Sequence, residues 1–84
     1  MSEMFRLSPD NANVDAVRAI REARKKRGIS AKRLAEMVGK LRETIIRLES
    51  GRHDVRINTL AKLADALGLE ILIVEKGALG EEKE

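Results

Sequence analysis

Two short apolar stripes, each closed by a glycine, constrain this chain more than any other feature. They lie in residues 29–51, ISAKRLAEMVGKLRETIIRLESG. Ser30 is suited to cap a first helix, because its hydroxyl can accept from an otherwise unpaired first-turn amide. Leu34, Ala35 and Val38 then share one helical face. Gly39 follows and permits the left-handed backbone that ends a helix without steric cost. A second helix is predicted to begin near Leu41 or Arg42. Leu41, Ile45 and Leu48 repeat at i, i+4 and i+7, so all three are predicted to point inward. Gly51 closes this helix as Gly39 closes the first.

Helices this short stack only where their crossing point is small. Ala35 supplies the small residue, Gly39 the corner, and Ile45 and Leu48 the wedge that packs back on the first helix. This is the helix-turn-helix layout, whose second helix lies in the DNA major groove. An ordinary helical hairpin with no DNA role is the alternative. The stretches RGIS, LAEMVG, TIIRLESG and NTLAKLADALG resemble the Cro/phage-repressor family of helix-turn-helix regulators, also called XRE-type, over residues 17–69. The resemblance implies a mainly α fold, a lambda-repressor-like four-helix DNA-binding domain that acts as a dimer on a two-fold operator. It also implies that Arg24 pairs with Glu49 near the end of the recognition helix. Three positions depart from the family pattern. Lys40 stands where an apolar residue usually follows the turn glycine, Leu41 where a Ser or Thr cap is usual, and Ala31 where a phosphate-binding Gln is frequent.

Charge agrees with a polyanionic partner. The net charge is only +3, but residues 18–56 hold 13 Lys and Arg against 5 Asp and Glu. Each neutralised phosphate releases counterions, so such a centre suits nucleic acid. Lys and Arg as helix formers on solvated faces are the plainer explanation of the same bias. With 84 residues the chain is predicted to form one domain. Cysteine is absent, which removes disulfides, thiolate metal sites and cysteine nucleophiles. Neither a membrane-spanning run nor a signal-peptide pattern is present, so a soluble cytoplasmic protein without membrane contact is expected.

Residues 1–13 read as an N-terminal arm or short strand, with Phe5 as a core plug and a polar turn at residues 10–13. A helix over 14–27 places Val17, Ile20, Ala23 and the charged Arg24 on its inner face. The DNA-binding domain spans 14–68, with the motif at 30–50. On the second motif helix, Arg42, Glu43, Ile46 and Arg47 face away from the inner stripe and are the candidate base-contacting residues. Arginine matches guanine O6 and N7, glutamate accepts from the cytosine amino group, and Ile46 suits a thymine methyl. A surface ion pair between Glu43 and Arg47 is the alternative for those two. Lys32, Arg33, Lys40, Ser50, Arg52 and His53 are the candidate phosphate contacts, which position without reading sequence. A last helix over 58–67 buries Leu60, Leu63, Ala64 and Leu67. Residues 69–76, LEILIVEK, read as a β-strand. A lone strand needs a partner, either residues 4–7 or the same strand of a second subunit, so Leu69, Ile71, Leu72, Ile73 and Val74 are the candidate dimer interface. Residues 77–84 read as a flexible acidic tail.

No glycine-rich phosphate loop and no paired acids in an apolar setting are present, so enzymatic function is not expected, nor any cofactor or metal. Single-stranded RNA recognition leans on aromatic stacking, and Phe5 is the only aromatic. The expected function is a repressor that binds double-stranded DNA as a homodimer on a palindromic operator. A phage-type repressor and a restriction-system controller fit equally. The runner-up is an antitoxin of the HigA or HipB kind, with a toxin protein as partner.

Overall fold

The computed structural model describes residues 3–78, and among them four helices follow in order: α1 (Ala12–Lys26), α2 (Ala31–Val38), α3 (Arg42–Glu49) and α4 (Ile57–Ala66). α2 packs chiefly on α3 and also on α4, while α1 lies against α3 and α4. The core is a single cluster that joins Ala16, Ile20 and Ala23 of α1 to Leu34 and Ala35 of α2, Ile45 of α3, and Leu60, Leu63 and Ala64 of α4 with Leu67 behind it. Leu34 and Ile45, one from each short helix, are the largest fully buried side chains. Cutting either back to alanine removes about 2–5 kcal/mol, because both the transfer energy and the filled volume are lost.

The helix ends follow local chemistry. The Ser30 hydroxyl accepts from the Arg33 amide at 3.0 Å and starts α2. Gly39 takes φ 70°, and the Lys40 amide returns to the Ala35 carbonyl at 2.8 Å, so the chain leaves α2 in a tight corner. Gly51 repeats the left-handed step after α3 at φ 75°. A Cβ there would stand 3.6 Å from Val17 Cγ2, an ordinary contact, so backbone conformation and not space requires glycine.

Leu41 is not an inward residue. It is 71% exposed and extended, at φ −86° and ψ 152°, in the N-cap position of α3. The helical phase begins at Arg42, so counting back from Ile45 carries no meaning at Leu41. Its side chain also has no oxygen with which to cap. Ile45 is buried and Leu48 half-buried, as their spacing requires.

No β-strand occurs among the described residues. Leu69 packs half-buried against the core, but Ile71, Leu72, Ile73 and Val74 are exposed, Ile73 completely. The physical reason is that extended backbone becomes a strand only through ladder hydrogen bonds, and no segment among the described residues supplies them. The arm does not serve: Met4 and Leu7 are exposed, while Phe5 packs half-buried on the core. Residues 79–84, the main part of the expected tail, lie outside the described residues, as do residues 1–2.

Candidate nucleic-acid interface

The outward side of α3 is built by the burial of Ile45. With that residue fixed in the core, Arg42, Glu43, Ile46 and Arg47 are turned to the surface, and all four are exposed. Glu43, Ile46, Arg47, Ser50, Arg52 and His53 together line one open groove. No ion pair joins Glu43 to Arg47 among the described residues. The surface-pair alternative therefore does not engage them, and the Arg47 guanidinium keeps its planar donor fork available for a paired acceptor.

The loop beyond α3 is organised by Ser50. Its hydroxyl donates to the Arg47 carbonyl at 2.6 Å and accepts from the Arg52 amide at 3.3 Å. A phosphate contact by Ser50 requires that hydroxyl to release the carbonyl. Arg52 and His53 are exposed on the loop, and Arg56 occupies the N-cap position of α4. The loop is tied down from α1: Asn13 Nδ2 donates to the His53 carbonyl at 2.8 Å, and Asn13 Oδ1 accepts from the Val55 amide at 2.9 Å.

Lys32 and Arg33 stand exposed on the first turn of α2, and Lys40 stands in the corner before α3. These three do not line the groove. Arg33 approaches Glu36 at 3.5 Å in a solvent-exposed pair of little energetic weight.

The groove is oriented from behind by Arg24. Its Nε donates to Glu49 Oε2 at 2.7 Å and its Nη2 to Glu49 Oε1 at 2.8 Å, while Nη1 donates to the Ile29 carbonyl at 2.9 Å. Three structural units thus meet at one guanidinium: α1, the link into α2, and the last turn of α3. The hydrogen bond to Glu49 raises the Arg24 pKa, against a desolvation that lowers it, so the charged form is held.

Lys26 and Arg27, the basic end of α1, face an acidic partner from the arm. Arg27 Nη2 reaches Glu3 Oε1 at 2.7 Å and Lys26 Nζ reaches Glu3 Oε2 at 3.4 Å. The hydrogen bond from Arg27 holds the Glu3 carboxyl below the usual carboxylate range. Neither Glu3 nor Asn13 carries a sequence signature for these contacts, because their partners lie far along the chain. Among the described residues, no group of His, Cys, Asp or Glu could hold a metal ion, and no helix is long and apolar enough to cross a membrane.

Against known proteins, the model of the family described as Helix-turn-helix matches residues 20–74. The chain is also similar to an uncharacterized HTH-type transcriptional regulator of Methanothermobacter thermautotrophicus. The two are 47% identical over 51 residues, a span covering 61% of this chain and 74% of that relative.

Proposed function

The chain belongs to the XRE-type helix-turn-helix family of DNA-binding transcription regulators, and from that premise we propose that it is a sequence-specific repressor acting as a homodimer on a palindromic operator. The observation that carries the reading is the outward face of α3. Arg42, Glu43, Ile46 and Arg47 stand unburied there, beside the loop that holds Arg52 and His53. In this reading Arg42 and Arg47 take guanine edges, Glu43 accepts from a cytosine amino group, and Ile46 meets a thymine methyl. Lys32, Arg33, Lys40, Arg52 and His53 take phosphates, with Ser50 joining them once its hydroxyl is released.

The exposed ribbon Ile71, Leu72, Ile73 and Val74, continued by the half-buried Leu69, supports the homodimer. Four consecutive exposed apolar side chains favour a covered state. Two copies joined there would present their α3 helices one DNA turn apart, about 34 Å, and impose two-fold symmetry on the operator. The same ribbon favours a second reading, in which it also receives a toxin and the protein is an antitoxin that represses its own operon.

The test is selection of bound sequences from a random duplex library, with the mass of the free protein measured alongside. A palindromic consensus and a dimer mass are expected. A folded dimer that recovers no consensus would overturn sequence-specific repression and bring the toxin-binding reading forward.

A further inference from the structure

We infer that Asn13, on the first turn of α1, is a positioning residue for the DNA-contacting loop. The inference rests on the reading above, in which Arg52 and His53 meet phosphates. The carboxamide works at both ends. It donates to the His53 carbonyl at 2.8 Å and accepts from the Val55 amide at 2.9 Å. Both partners are main-chain groups, so the clamp sets the path of the loop whatever side chains it carries. Among the described residues the loop is also held near its ends, by the Ser50 hydroxyl on the Arg52 amide, by the Gly51 amide on the Leu48 carbonyl and by Val55 against the core. Asn13 adds a point between them, at the residue next to Arg52. A loop already held in one path loses less freedom when it binds, and the saving appears as affinity. A carboxamide carries its donor and its acceptor on separate atoms, so it can bridge two main-chain groups; aspartate keeps the Val55 bond but turns a second acceptor on the His53 carbonyl.

The test is a double-mutant cycle between Asn13→Ala and Arg52→Ala in the full chain. Binding to a fluorescent random-sequence duplex is followed by anisotropy over a range of NaCl concentrations, and helix content by circular dichroism. Asn13→Ala is expected to keep its helices and to bind about three- to tenfold more weakly, the scale of one net hydrogen bond. Its salt dependence is expected to flatten toward that of Arg52→Ala. The double variant is expected to bind better than the product of the two single losses predicts, because part of the loss in Asn13→Ala passes through the Arg52 contact. Losses that multiply independently, or no loss in Asn13→Ala, overturn the inference; a residue that only stabilised the fold would give the former. Should Asn13→Ala fail to fold, Asn13→Asp takes its place in the cycle under the same criteria. A native chain that binds no duplex even at low salt refutes the DNA reading itself, and the positioning role with it. Native binding with uncoupled losses refutes the positioning role alone.

Discussion

Arg24→Leu should be among the most damaging single substitutions in this protein, and its cost follows from the contacts. The guanidinium holds both oxygens of Glu49 and the carbonyl of Ile29, and the side chains of Arg24 and Glu49 are only 11% and 9% exposed. Leucine fills much of the volume but leaves the Glu49 carboxylate without its counter-charge in a nearly dry position. Stranding one member of a buried pair costs about 3–5 kcal/mol. Losing the bond to the Ile29 carbonyl adds about 1 kcal/mol. A domain of this size is stable by roughly 4–13 kcal/mol, so the variant should sit near the edge of folding. Its Tm should fall by more than about 12 °C, at about 4–8 °C per kcal/mol. The assay is urea unfolding followed by helical ellipticity at neutral pH, with the m-value compared between variants. The pair need not be a net stabiliser, since both charges were desolvated to make it. Arg24→Leu combined with Glu49→Leu should therefore regain a large part of the loss. A cost below about 1 kcal/mol for Arg24→Leu, or a double variant no better than the single, would refute the description of this pair as a buried, mutually dependent unit.

Three further outcomes are expected. Arg47→Ala should weaken the selected site by about 1–3 kcal/mol and relax preference at one base pair, whereas Arg52→Ala should weaken all duplexes alike and lower the salt slope by about one; competition with random DNA separates the two. Leu72→Lys should leave the helices intact and give a monomer mass in sedimentation, and a persisting dimer would exclude the ribbon as the interface. Because Arg27 holds the Glu3 carboxyl low, its contribution is fully present above the ordinary glutamate range and is lost as pH falls through the depressed folded value. NMR signals of Phe5, two residues along the arm, should therefore shift on acidification, and Glu3→Gln should abolish the transition.

The helices were legible because their information is local. Apolar residues three and four apart define α1, α2 and α4, and Ser30 and Gly39 mark both ends of α2. Leu41 misled because helical spacing holds only inside a helix, and the residue before the first turn obeys the extended backbone instead. The stretch 69–76 misled for a different reason. Its β-forming composition is real, but a strand is a relation between two segments, and composition describes only one. At the site, the exposed face of α3 could be read by subtraction from its buried face. The Asn13 clamp could not be read at all, since its partners are backbone atoms 40 and 42 positions away. The same holds for Glu3, whose partners follow 23 and 24 residues later and carry charges common along the chain.

The exposed ribbon has a bearing on solubility. Ile71, Leu72, Ile73 and Val74 form an uncharged, strongly β-forming run with open backbone, the composition that seeds cross-β stacking. Steric-zipper segments are typically about six or seven residues long. Here the run stops at four, bracketed by Glu70 on one side and by Glu75 and Lys76 on the other. In-register stacking of copies would bring each of these charges against its own kind, at the close spacing of about 4.8 Å between strands. These residues act as gatekeepers. They leave an apolar tetrapeptide exposed while denying it the length from which fibrils grow.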